Sequence, residues 1–355
     1  LSRIIITDRL SANHYIALGW GNAFASLGHE VVLWDTEKTP AFDIFNKFNP
    51  DIFITSSWQL DRAQIKCVAQ RPQLKTLVSL SNWGTTDKDL DSKTTHIASE
   101  QERKMVGDLV KAAPHVKLGF CQYHDRYVGE THNGWLETGI QPFGLLLGAD
   151  ITNFPLTPSS PAYKSDICLV SGRWPEKAKE LDKYILSLCY PNTTLDIKIF
   201  GNGWGSIPQC FGYIPDDLIR NYYASAVVCP NIHEPQALKS GIDVNQRAYQ
   251  VISAGGFQIS QRVRSMEEDI FFNDEVVFVD SPKEFMDMVL YFRENPSERI
   301  PYIKRGLDTV YENHTFLHRV AEMFNRLDET GEADKALGFA DSIYYQMKQY
   351  QNELF

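Results

Sequence analysis

Short apolar runs recur along the chain, with longer amphipathic stretches between them. Ile4–Thr7, Val31–Trp34, Ile52–Thr55, Leu77–Leu80 and Val116–Phe120 are short, largely apolar runs of four or five residues, which predicts buried strands. Between the first two lies Tyr15–Leu27, with apolar Leu18, Ala25 and Leu27, followed by Gly28, the residue suited to a left-handed helix end. Strand, helix, Gly-His and strand make one βαβ unit, and such units build a parallel sheet with helices on both faces.

The pattern then starts again. Ile167–Val170, Ile197–Phe200, Ala226–Cys229, Phe257–Ser260 and Val276–Val279 predict a second set of strands, with helices over Lys177–Leu188, Asp217–Ala224, Gln246–Ala254 and Lys283–Glu294. Between the halves, 150–164 carries Pro155, Pro158 and Pro161 among Thr and Ser, with no period, and predicts the linker. The expectation is an α/β chain of two doubly wound domains: 1–155, 163–330, and a last helix over 331–355 that returns to the N-terminal domain. The start of the chain is too short and too soon polar for a signal peptide and reads as the first strand.

Composition changes this picture little. Of 355 residues, 43% are hydrophobic and 23% charged, as in ordinary globular proteins. No apolar run reaches the length of about 18 residues that a membrane span needs. A net charge of −10 argues against a broad phosphate-backbone surface, although a small phosphate site needs only a few cations. The six cysteines form no C-x-x-C pair, and two of them sit in apolar runs, which fits a reducing, cytoplasmic setting.

The chemistry concentrates in loops that follow the second set of strands. Gly172-Arg173-Trp174-Pro175-Glu176-Lys177 turns from a strand into a helix, where backbone N–H groups and an Arg fork suit a phosphate. Gly201-Asn202-Gly203-Trp204-Gly205 allows close approach of a ligand or of another backbone. Asp243-Val244-Asn245-Gln246-Arg247 enters a helix that Asn245 can cap, with Arg247 and Gln250 on one face, a pairing that suits a diphosphate and ribose hydroxyls. Each of these is also compatible with an ordinary turn or an exposed polar helix face.

In this order, with Ile199-Phe200-Gly201-Asn202-Gly203-Trp204, Tyr222-Tyr223-Ala224-Ser225, Ala254-Gly255-Gly256, Pro296-Ser297-Glu298-Arg299 and Glu312-Asn313-His314-Thr315-Phe316, the segment from about 166 to 327 resembles the group 1 glycosyltransferases, most closely their spore-maturation-protein (CgeB-like) branch. The resemblance implies a GT-B fold: two Rossmann-like domains facing a cleft, with a nucleotide-diphosphate sugar as donor on the C-terminal one and the acceptor on the other. It implies a hexosyl- or pentosyltransferase that acts with retention, without a metal or other cofactor. Carried over by position, Arg173 and Lys177 face the donor diphosphate, Gly172 and Gly201 belong to the donor-binding set, Tyr213 and Ile214 lie near the base, and Asp243, Asn245 and Arg247 wrap the sugar and phosphates. Gln250 stands where the family has a Glu for the ribose hydroxyls, and Ile242 where it has a second carboxylate. That departure keeps open a degenerate nucleotide-sugar-binding or scaffold protein of the same fold.

In the N-terminal half, loops after strands hold His14, Asp87 and Asp125 as candidate bases for an inverting reaction, and Trp58 and Trp83 as candidate sugar-stacking rings. Asp87-Lys88-Asp89 matches a D-x-D metal pattern, but it sits far from the donor elements and reads as a solvated acidic loop. The acceptor is left open among glycan, protein, small molecule and modified nucleic acid, because fold does not dictate substrate.

Overall fold

The computed structural model describes residues 1–8, 14–84, 97–189 and 193–355. By contacts the chain divides into two compact units, Leu1–Leu147 with Phe316–Phe339, and Gly148–Thr315 with Ala340–Phe355.

The first unit runs β1 (Arg3–Thr7), α1 (His14–Ser26), β2 (Glu30–Trp34), α2 (Ala41–Phe48), β3 (Ile52–Ser56), α3 (Arg62–Ala69), β4 (Lys75–Ser79), α4 (Glu100–Ala112), β5 (Leu118–Cys121), the short α5 (Val128–Thr131) and β6 (Gln141–Gly144). Its six strands are parallel in the order β2-β1-β3-β4-β5-β6. Ile4, Ile5, Ile6 and Ile52, Phe53, Ile54 are covered on both sides. That double burial is why these strands read as unbroken apolar runs. Gly28 does adopt the left-handed conformation, with φ +92°.

The second unit runs β7 (Ser165–Val170), α6 (Pro175–Leu181), the short α7 (Ser187–Cys189), β8 (Ile197–Phe200), α8 (Asp216–Ser225), β9 (Ala226–Asn231), α9 (Pro235–Ser240), α10 (Arg247–Ser253), β10 (Gln258–Gln261), β11 (Val277–Val279), α11 (Pro282–Glu294) and α12 (Ile300–Asn313). Five parallel strands lie in the order β11-β10-β9-β7-β8. The architecture is therefore two doubly wound α/β units.

Two boundaries differ from the sequence expectation. The Pro-rich stretch is packed on the second unit. Phe154 belongs to that unit's core, the Leu156 N–H donates to Tyr311 Oη at 2.8 Å, and the Thr157 N–H donates to Ala254 O at 3.2 Å. Proline and serine content marks irregular backbone but not the core it lies against. Further on, the chain rejoins the first unit at Phe316, ahead of residue 331. The helix α13 (Phe316–Arg326) buries Phe316, Val320, Met323 and Phe324. It lies so close to α1 that a Cβ on Gly19 would come within 2.2 Å of the Phe316 ring. Trp20 meets Phe316 edge-on at 6.3 Å, and Phe24 meets Phe324 at 5.5 Å. The last helix, α14 (Thr330–Leu354), begins in the first unit and ends in the second. None of the described helices is long and apolar enough to cross a membrane.

Candidate donor site at the strand-order switch of the second unit

In an open parallel sheet, ligands sit outside the carboxyl ends of strands where the strand order reverses. In the second unit that point lies between β7 and β9. The residues that leave these strands are Ser171 to Lys177 on one side and Ile232 to Glu234 on the other, and they meet there.

Lys177, in the first turn of α6, is 3% exposed. Its ammonium donates to Glu234 Oε1 at 2.9 Å. Burial, and then the nearby Arg247 charge, pull its pKa down to about 8, with Glu234 and Asp243 opposing. Glu234 is half-buried. Burial alone would raise its carboxyl, but Lys177 first, and then His233 and Arg247, together offset this and hold it below the usual range. Asp243 is pushed up to about 6, by burial first and by the Glu234 charge second. Arg247 donates through Nε to Val170 O at 3.2 Å, while its Nη1 is buried with no partner among the described residues.

Behind this cluster lies His233, fully buried and held neutral, with its pKa pulled down to about 3 by burial. Asn245 places Oδ1 on the Ala248 N–H at 3.2 Å, as expected for a cap at the start of α10. Its amide nitrogen lies 3.3 Å from His233 Nδ1, while the Asn231 amide nitrogen and Ser260 Oγ each lie 3.2 Å from Nε2, so both ring nitrogens face polar partners.

Not every expected residue joins this cluster. Arg173 turns away and forks onto Asp182 within its own helical segment, Nε to Oδ1 at 2.7 Å and Nη2 to Oδ2 at 2.6 Å. The glycine loop makes close backbone approaches within the protein. A Cβ on Gly201 would lie 2.4 Å from Ser171 O, and one on Gly203 would lie 2.5 Å from Arg173 O. A Cβ on Gly172 would meet the Trp174 ring at 2.8 Å. Tyr213 stands 76% exposed, whereas Ile214 is buried in the core. The Gln250 side chain has no hydrogen-bond partner among the described residues and is half-buried beside Arg247 on α10.

In the first unit the order reverses between β1 and β3. A small cavity there is lined by Asp8, Trp20, Trp58, Gln59 and Gln122, among others. His14 opens α1 and places Nδ1 2.7 Å from Asp8 Oδ2. The other oxygen of Asp8, Oδ1, is buried without a partner among the described residues. His124 accepts from the Arg126 N–H, and Asp125 Oδ1 accepts from the Gly144 N–H at 2.8 Å, so Asp125 is tied into the fold. Trp83 stacks edge-on with the fully buried Trp135 at 5.2 Å, as a core ring does. Asp87 and the D-x-D stretch lie outside the described residues.

Sequence reasoning missed Asp8, Asp182, His233 and Glu234. The last two follow β9 directly, in Asn231-Ile232-His233-Glu234, and a loop after a buried strand is the signal that could have found them.

Residues 172–325 match the family model described as glycosyl transferase-like. Curated proteins gave no match to the sequence. Among solved structures, an alpha-glucosyltransferase in complex with UDP-glucose and DNA containing an abasic site is similar with a TM-score of 0.59 and 10% identity, over 92% of this chain and 99% of that one. HepE from Anabaena in complex with UDP gives 0.56 and 9%, over 92% and 100%. Sucrose-phosphate synthase from Thermosynechococcus elongatus gives 0.53 and 12%, over 100% and 99%. The chain has the GT-B fold. Within that GT-B chain, the matched segment covers all the residues of the Lys177 cluster.

Proposed function

We propose that this GT-B chain moves a hexosyl or pentosyl group from a nucleoside-diphosphate sugar to an acceptor hydroxyl, and that it belongs with the spore-maturation-like transferases. The observation that carries this reading is the pair of cations at the β7/β9 switch. The Lys177 ammonium has three donors, and Glu234 takes one of them. Arg247 keeps a buried donor with no partner among the described residues. Such groups call for an anion, and a diphosphate supplies one. Negative charge grows on the diphosphate as the glycosidic bond breaks, so fixed cations there lower the barrier. Two positive side chains also supply the charge that a divalent metal would bring, which supports transfer without a metal. Gln250 and Asp243 are left to meet hydroxyls of the donor.

Retention at the anomeric carbon follows from the family resemblance. The buried Asp8, paired with His14, favours the second reading, inversion. There the unpartnered Oδ1 would take the acceptor's proton and His14 would steady the carboxylate. The anomeric configuration of the product, read by NMR, separates the two.

The test is a thermal-shift screen with UDP-, GDP-, ADP-, CMP- and dTDP-linked sugars. A donor at 100 times its Kd stabilises the fold by about 2.7 kcal/mol. One donor should raise the melting temperature, and Lys177→Gln should abolish the rise. No shift with any donor would leave the chain as a scaffold of the same fold.

A further inference from the structure

The site carries its own anion. Glu234 lies against Lys177, and three observations say which partner of that pair can move. The Lys177 side chain is 4% exposed and enclosed, whereas Glu234 is 32% exposed. Glu234 occupies the N-cap position of α9, yet its side chain makes no cap hydrogen bond. Lys177 is its sole hydrogen-bond partner among the described residues. Beyond that bond the carboxylate is held only by longer-range attraction, that of Arg247 among it, with no further hydrogen bond among the described residues. The two cations are meanwhile closed off, since Arg247 Nη1 is buried and Lys177 is covered.

We propose that Glu234 is an internal counter-ion gate: its carboxylate pairs with Lys177, leaves when a diphosphate arrives, and then accepts a hydroxyl of the donor. This rests on the donor reading above. A diphosphate and Glu234 compete for one ammonium, so binding is an exchange of anions. The displaced carboxylate stays tethered beside the ligand, next to Asp243, which already feels its charge. A hydroxyl there gives it a neutral donor in place of the lost cation. On product release Glu234 returns to Lys177 and helps expel the nucleoside diphosphate. The gate thus disfavours a bare nucleoside diphosphate relative to the complete donor sugar.

The experiment compares wild type, Glu234→Gln and Glu234→Asp by calorimetry at fixed pH and salt. The probe is the tightest binder among UDP, GDP, ADP and dTDP, together with its glucose conjugate. Gln keeps an acceptor for Lys177 but carries no charge, and Asp keeps the charge on a shorter arm, so melting temperatures for both show whether the fold is kept. Glu234→Gln should bind the free diphosphate about tenfold more tightly than wild type. The preference for the glucose conjugate over the diphosphate should fall by a similar factor. Glu234→Asp should sit between the two. A folded Glu234→Gln that binds the diphosphate no more tightly overturns the gate. An unchanged preference for the conjugate overturns the hydroxyl contact. If Glu234→Gln does not fold, a Glu234→Asp equal to wild type in both measurements overturns the proposal. A wild type that binds none of the probes defeats the donor reading itself, a result distinct from all of these.

Discussion

Arg173 sets Nε and Nη2 against the two oxygens of Asp182, at 2.7 and 2.6 Å. The guanidinium expected on the donor diphosphate is therefore occupied by a carboxylate nine residues along the chain. Both side chains are about one-third exposed, and a pair in that setting contributes about 0–1 kcal/mol to stability. Asp182→Asn should hardly change the melting temperature. It should tighten nucleoside diphosphate binding several-fold, by freeing Arg173 to turn toward the β7/β9 switch. Calorimetry checks this. An unchanged affinity would make Arg173 a structural clamp on α6.

Donor affinity should fall in two steps as pH rises. The Asp243 carboxyl, pushed up to about 6, is protonated below that pH and adds a negative charge above it. Lys177, pulled down to about 8, is charged below that pH and neutral above it. Both changes disfavour a diphosphate at higher pH. His233, with its pKa near 3, stays neutral throughout. For the fold, a raised carboxyl pKa means that stability falls as pH climbs from 3.8 through 6. The measurement is Kd for a nucleotide sugar, whose diphosphate does not titrate in this range, from pH 5 to 9. Asp243→Asn should remove the lower step and Lys177→Arg the upper one.

Gly201 should be far less replaceable than Gly205. Its φ is +137°, and an added Cβ would lie 2.4 Å from Ser171 O, which is backbone and cannot give way. Gly205, with φ +67°, faces open space. Gly205→Ala should cost about 1 kcal/mol, the usual penalty of a left-handed non-glycine residue. Gly201→Ala should cost more than twice as much. Comparing the two midpoints of chemical unfolding decides it, and equal losses would mean that the β8 loop relaxes freely.

The reach of the sequence follows from physics at particular residues. Strands covered on both faces leave continuous apolar runs, so Ile4–Thr7 or Ile197–Phe200 is visible without a structure. Lys177, Asp243 and Arg247 are legible because each lies in a post-strand loop or at the head of a helix. Glu234 gains its meaning from Lys177, 57 residues earlier, and no local pattern encodes such a pairing. The role of Gly201 was equally hidden. Three glycines announce a close approach but not whether the neighbour is a ligand or Ser171. In the same way the prolines of 150–164 announce irregular backbone, while Phe154 and Leu156 decide which core it joins.

The seat of α13 on α1 has a consequence for synthesis. Helix α1 carries a glycine and two rings, Gly19, Trp20 and Phe24, shaped to receive Phe316 and Phe324. Those partners leave the ribosome some three hundred residues later. During translation α1 must wait with this apolar face uncovered while the whole second sheet is made. An early stop before Phe316 should release a chain whose C-terminal unit keeps its β-sheet core, but whose N-terminal unit draws chaperones and aggregates.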